Sequence, residues 1–223
     1  EIIYGSNGAD NFDGSGQAVA LSMDGRLGDD VLTGGSANDT INGGDGNNTL
    51  SGNAGNDYIY GGQTGNDIIN GGDGDDSIYA YNGNNTVNGG NGTDYIQGGA
   101  NIDNLSGGTG NDTLYGGASA DILKGDDGND ILNGETGNDL ISGGLGTDTM
   151  NGGYGFDTVD YRFATLGGTI NLATQTAVID GVAETFVSFE NAYGSLGNDV
   201  MTGSAEANKL WGVDGNDTIN AGD

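Results

Sequence analysis

The chain has 223 residues, of which 49 are Gly and none is Pro, Cys or His, and 33 acidic against 4 basic side chains give it a formal net charge of -29. That balance excludes nucleic acid as a natural partner, since phosphates are held through Lys and Arg; it disfavours anionic membrane surfaces and suits the binding of many cations. Collagen is excluded by the absence of Pro and of Gly at every third position, simple disorder by aliphatic residues that return at a fixed spacing, and disulfide bracing by the lack of Cys.

In chain order, a first nine-residue unit at Gly5–Asp13 is followed by an irregular stretch, Gly14–Asp24. From Gly25 to Asp160 the units run in register, with one extra residue in Gly61–Asn70. Gly34–Asn42 reads GGSANDTIN, Gly43–Ser51 GGDGNNTLS, Gly71–Tyr79 GGDGDDSIY, Gly107–Tyr115 GGTGNDTLY and Gly143–Asn151 GGLGTDTMN. Gly at positions one, two and four permits positive φ and a backbone too crowded for Cβ. Position six is an Asp that faces inward at the turn, and a short strand follows it. Position eight is aliphatic, from Leu32, Ile41 and Leu50 through to Met150 and Val159. One inward residue between two outward ones predicts a three-residue strand. Tyr161–Tyr193 leaves the register, and its apolar runs Thr169–Leu172, Ala177–Ile179 and Thr185–Phe189 predict strands. They are expected to continue the stack as wider coils with a larger apolar core; a docking site rich in Phe is the alternative. Three more units follow at Gly194–Thr202, Gly203–Trp211 and Gly212–Asn220. The chain opens at Glu1 directly before a unit and stops at Asp223 inside one, which reads as a fragment of something larger.

The units resemble the repeats-in-toxin (RTX) nonapeptide GGxGxDxUx over nearly the whole chain apart from Tyr161–Tyr193. The resemblance implies an all-β fold, a right-handed parallel β-roll in which two units make one 18-residue coil. It divides the chain into a roll over residues 1–160, a spacer over 161–193 and further repeats over 194–223. Alternate repeats then stack on opposite sides. One column carries Asp39, Asp57, Asp76, Asp94, Asp112, Asp130 and Asp148; the other carries Asp10, Asp30, Asn48, Asp67, Asn85, Asp103, Asp121, Asp139 and Asp157, and the last repeats add Asp199 and Asp217. In the family each calcium ion sits between successive turns of a column, on oxygens of two stacked Asp side chains and of turn carbonyls. These residues are the candidate ligands, and all-oxygen coordination suits calcium. Asn48 and Asn85 lack the charge, and Asn101 and Ser119 replace position-four glycines, so the second column is expected to bind more weakly. Roughly fourteen divalent ions would nearly cancel the formal charge. Without them, stacked like charges repel, and one small aliphatic per repeat cannot offset the ordering entropy; the chain is expected to be disordered without calcium.

With no His or Cys the usual nucleophile–base pairs cannot be built, so no catalytic residue and no organic cofactor are assigned. Arg26, Lys124, Arg162 and Lys209 read as scattered over distant points of the repeat. The family's repeats typically belong to large secreted proteins of Gram-negative bacteria, exported unfolded through type I secretion and folded by calcium outside the cell. A structural rod at the bacterial surface, within a surface-layer protein, adhesin, toxin or hydrolase, is therefore expected, with bridging calcium as a route to self-association. Two alternatives use the outward side chains. Tyr60, Tyr79, Gln97 and Tyr115 in one row, with Tyr58 and Tyr95 beside it, would offer a strip for a glycan or a surface lattice. Ice binding would need a regular Thr array, whereas Thr40, Thr49, Thr86, Thr113, Thr149 and Thr158 are broken up.

Overall fold

One inward aliphatic side chain per nine residues is too little apolar surface for a unit to fold alone, so units must stack. The computed structural model, which describes residues 1–222, stacks them as two β-sheets, with no helix among the described residues. Ile2–Tyr4, Ser22–Asp24, Thr40–Asn42, Tyr58–Gly62 and Ser77–Asn82 open a 14-stranded sheet, while Asn11–Asp13, Val31–Thr33, Thr49–Ala54 and Ile68–Asp73 open an 11-stranded one. Through the repeats, neighbours in a sheet are parallel and one coil apart, as in Ile78↔Ile96 and Leu105↔Leu123. The extra residue in Gly61–Asn70 is absorbed in its turn, because Leu50 still pairs with Ile69. The fold is thus a parallel β-solenoid of about 12 turns, its shorter sheet roughly 50 Å long at the usual strand spacing. Every position-eight residue from Leu32 to Val159 is buried, in two files that meet between the sheets.

The strands are longer than the three residues expected. From Thr49 to Leu145 most run six residues, as in Thr86–Asn91, because the glycine pair after position nine stays in the ladder and Gly90 pairs with Gly108. Position two of most units is left-handed, and Arg26, Asn53, Tyr81, Asp126 and Glu135 adopt that conformation where Gly is missing. Position-five side chains, mostly Asn, add a second ladder at the outer edge of the turns. Asn38 Oδ1 accepts the N–H of Asn56 at 3.0 Å, and Asn111 Oδ1 accepts that of Asn129 at 2.8 Å. On the outer face of the 14-stranded sheet Tyr60, Tyr79, Tyr95 and Tyr115 form a chain of ring contacts 5.5–5.7 Å between centroids, and Tyr81 joins it from the far part of the strand that carries Tyr79.

The spacer differs from a set of wider coils. Gly168–Asn171, Thr176–Ile179 and Val182–Val187 form an antiparallel meander inside the 14-stranded sheet, while the 11-stranded sheet takes only Asn191–Tyr193. The cause lies in Asp180–Gly181, which joins two of these strands with φ of 52° and 85°, the backbone of a two-residue type I′ hairpin. Apolar runs flanking Asp-Gly are a hairpin signal that outweighs the parallel habit of the neighbouring repeats. Tyr161, Phe186 and Phe189 fill the interior here, the two Phe rings meeting edge to face at 5.5 Å.

Because each coil contacts only its neighbours, truncating one core residue should weaken the stack locally without being shared out. Leu105→Ala is expected to cost about 2–5 kcal/mol in chemical denaturation with calcium present. A loss below about 0.5 kcal/mol would mean that position eight is not the core of the rod.

Candidate metal sites along the turns

Position six is the last turn residue before each strand, so the pairing of strands stacks these residues. It brings Asp39, Asp57, Asp76, Asp94, Asp112, Asp130 and Asp148 into one column, before strands of the 14-stranded sheet, and Asp10, Asp30, Asn48, Asp67, Asn85, Asp103, Asp121, Asp139 and Asp157 into the other. From Asp30 to Asp157 all are buried. The first oxygen of each is used within the column: Asp76 Oδ1 accepts the N–H of Asp57 at 2.7 Å, and Asp121 Oδ1 that of Asp103 at 2.8 Å. A carboxylate accepting a backbone N–H makes a charge-assisted bond, so the column also ties coil to coil.

The second oxygen is the informative one. Among the described residues Oδ2 of Asp30, Asp57, Asp67, Asp76, Asp94, Asp103, Asp112, Asp121, Asp130, Asp139, Asp148 and Asp157 is buried with no hydrogen-bond partner. Such groups are costly and call for a counter-charge. The position-one glycine shows which oxygens converge there. A Cβ on Gly71 would lie 2.3 Å from Asp76 Oδ2 and 2.4 Å from the Gly89 carbonyl of the next coil; on Gly134 it would lie 2.3 Å from Asp139 Oδ2 and 2.5 Å from the Gly152 carbonyl. The second Asp oxygen and the carbonyl of the next coil thus converge beside the glycine, and this hard, all-oxygen donor set fits calcium. Calcium bound there would supply the positive charge that the stacked carboxylates lack. These glycines serve by leaving that space clear, since none of them from Gly25 to Gly152 has positive φ.

Not every predicted ligand stands in this state. In three Asp turns the position-two residue stays out of the left-handed region, and its N–H donates to Oδ2. Ser6 donates to Asp10 at 2.6 Å, Gly35 to Asp39 at 2.6 Å and Ser195 to Asp199 at 2.7 Å; the hydroxyls of Ser6 and Ser195 add a second bond. Asn208 is closed in the same way by Ser204. These turns satisfy themselves with one reoriented peptide, and Ser at position two was the unread signal for three of them. Asn48 and Asn85 form a third kind. Each keeps the column bond through Oδ1, but Nδ2 donates to a carbonyl of its own turn, Gly46 O and Gly83 O, both at 3.2 Å. An amide N–H thus faces an oxygen that a cation would otherwise share. Asp217, in the last coil, is half-buried and accepts the N–H of Asp199 at 3.0 Å. Sequence reasoning also missed Glu184 and Glu190, which accept N–H bonds from Asp148 and Asp157, both at 2.8 Å.

Burial sets the electrostatics of the open turns. It pushes the carboxyls of Asp76, Asp94, Asp103, Asp121, Asp130 and Asp139 up to about 7, and those of Asp57, Asp67 and Asp157 up to about 6, against the lowering effect of the column N–H bonds. Stacked neighbours add to the rise, as Asp112 and Asp76 do for Asp94. Of the four cations, Lys124 and Arg162 are less scattered than the sequence suggests. Stacking brings both to one open cleft on the 11-stranded sheet, beside Asp126, Asp160 and Phe163, and Arg162 pairs with Asp160.

Two parallel columns of inward carboxylates on glycine turns define a calcium-binding β-roll. The RTX calcium-binding nonapeptide repeat model, in copies of four, matches residues 2–18, 22–50, 33–64, 61–96, 97–132, 124–159 and 193–223, so the chain belongs to that family. No curated protein matches its sequence. Among solved structures it is similar to the X-ray crystal structure of a hyperactive, Ca2+-dependent, β-helical antifreeze protein from an Antarctic bacterium. That likeness has 19% identity and a TM-score of 0.45, and it covers 98% of this chain and 80% of that one.

Because the folded carboxyls titrate higher than in the unfolded chain, the metal-free fold binds more protons than the unfolded state does. Its stability is then fullest below about pH 4 and is lost as the pH rises through about 6–7. In excess chelator, far-UV circular dichroism should show more β structure near pH 5 than near pH 8, and the reverse order would contradict the buried placement of these groups. Gly107→Ala would put a methyl 2.4 Å from Asp112 Oδ2 and 2.8 Å from the Gly125 carbonyl, whereas nothing lies within 4 Å of one on Gly16. The first substitution should remove about one bound calcium and cost about 1–3 kcal/mol, and the second neither, as measured by metal analysis and denaturation.

Proposed function

We propose that this chain is a non-catalytic, calcium-dependent folding module of a larger secreted bacterial protein, made of a roll, a spacer and further repeats. It stays unfolded where calcium is scarce and sets into a rod where calcium is millimolar, which suits export as an unfolded chain and assembly at the cell surface. One observation carries the reading: among the described residues twelve buried, unpartnered carboxylate oxygens stand on stacked turns, in a chain of formal charge -29 with 4 basic side chains. Ions that bind only the folded state stabilise it by mass action, and here they would also remove the repulsion that opposes stacking. The family's secreted, extracellular habit supports the location, and a surface-layer protein, adhesin or toxin would each have use for such a rod.

The tyrosine strip enters this reading as structure. Its rings pack against one another across strands, Tyr60 on Tyr79 at 5.5 Å and nearly parallel, which stabilises the sheet through cross-strand contacts. Outward Thr residues mostly pair with other residue types, Thr40 with Tyr58 and Thr86 with Ile68 and Asn104, and so give no continuous array.

The test is far-UV circular dichroism of the purified chain at neutral pH, titrated from excess chelator to about 10 mM calcium. A cooperative coil-to-β transition is expected, with magnesium a poor substitute because of its stricter geometry. The same β signal in excess chelator would end the proposal.

A further inference from the structure

The nonapeptide register ends at Asp160, yet the oxygen arrangement of the turns goes one level further. In the 11-stranded sheet, Asn191–Tyr193 follows Thr158–Asp160, and only Ser188, Phe189 and Glu190 separate it from Val182–Val187. Val187 pairs with Asn151 and Asn191 with Thr158, so three residues span what Gly152–Asp157 spans with six in the repeat below, and Glu190 takes the place before the strand that Asp holds elsewhere. Its Oε2 accepts the N–H of Asp157 at 2.8 Å, the same bond that Oδ1 of a position-six Asp accepts in the columns. The space beside Gly152 is bounded as in the repeats: a Cβ there would lie 2.7 Å from Asp157 Oδ2 and 2.1 Å from the Ser188 carbonyl, which replaces the carbonyl of the next glycine. Asp157 Oδ2 is buried and unpartnered.

The other column ends with the same ladder bond, although the three atoms nearest a Cβ on Gly143 all belong to Asp148. Glu184 precedes Thr185, which pairs with Thr149, and Glu184 Oε2 accepts the N–H of Asp148 at 2.8 Å. Glu184 is buried, Asp148 Oδ2 has no partner, and the buried hydroxyl of Tyr161, on which both carboxylates act, has none either. In both places a glutamate stands where the nonapeptide turn is missing, and its extra methylene supplies reach that a full turn would give an aspartate. The second oxygen of each glutamate accepts no hydrogen bond among the described residues.

We propose that Glu184 and Glu190 are calcium ligands outside the repeats, each closing the last site of its column: Glu184 with Asp148, and Glu190 with Asp157 and the Ser188 carbonyl. One ion on each side of the rod then fastens the spacer to the roll. The inference rests on the reading of the columns as calcium sites.

The full chain is compared with Glu184→Gln and Glu190→Gln by calcium count after equilibrium dialysis and by trypsin cleavage after Arg162, which lies at the start of the spacer. Glutamine keeps an oxygen to accept the column N–H and loses the charge, so a ladder contact alone predicts no change. Each variant is expected to hold about one ion fewer and to be cut after Arg162 about ten-fold faster at calcium levels that protect the wild type. The calcium-dependent β signal of the roll should persist. Wild-type ion counts and wild-type cleavage in both variants would overturn the proposal. A wild-type chain that binds no calcium at all would overturn instead the reading of the columns on which it rests.

Discussion

A carboxylate taken out of water needs either a proton or a counter-charge, and this rod presents that choice once per turn. In most turns the position-six Asp spends one oxygen on the coil before it and leaves the other buried and unpartnered, as Asp76 does beside the Gly89 carbonyl of the coil after it. No side chain can fill the space between them, because the residue that borders it is glycine. The same placement that ties one coil to the next therefore leaves each open turn in need of a proton or a cation. Hydrophobic burial alone is modest here, a single file of Leu, Ile and Val per sheet, and it would not hold so many like charges in register.

The orientation of one peptide decides whether a turn carries this dependence. With position two left-handed, as at Gly72 or Glu135, the second oxygen of the Asp stays open; with position two in the ordinary region, as at Ser6, Gly35 or Ser195, its N–H closes the turn. Closed turns cluster in the first coils, at Asp10 and Asp39, and after the spacer, at Asp199 and Asn208. The open ones run without interruption from Asp57 to Asp148 in one column. In the other column the amides of Asn48 and Asn85 stand between open neighbours. The chain thus combines turns closed by their own hydrogen bonds with a longer series whose second carboxylate oxygen is unpartnered.

The period of the repeat made most of the fold legible. Aliphatic residues every nine positions named the core from Leu32 to Val159, and two repeats per coil sorted the acidic residues into their columns. What periodicity could not show were features that depend on one residue type. The type I′ hairpin at Asp180–Gly181 was written in that dipeptide and was outweighed by the expectation of parallel coils. Glu184 and Glu190 were hidden because the glycines that announce a turn are absent there. Even so, Glu184-Thr-Phe-Val and Glu190-Asn-Ala-Tyr repeat the pattern of an acidic residue followed by a strand with one inward side chain. The distinction between open and closed turns rests on a peptide orientation that only coordinates reveal, although Ser at position two accompanies most of the closed ones.

The most direct test of the central claim is crystallography of the calcium-loaded rod, with the ions located by anomalous scattering. The account predicts density beside the position-one glycines of the open turns, between the Asp second oxygen and the next coil's carbonyl, and none at Asp10, Asp39 or Asp199. Ions distributed over closed and open turns alike, or none beside the buried carboxylates, would contradict it.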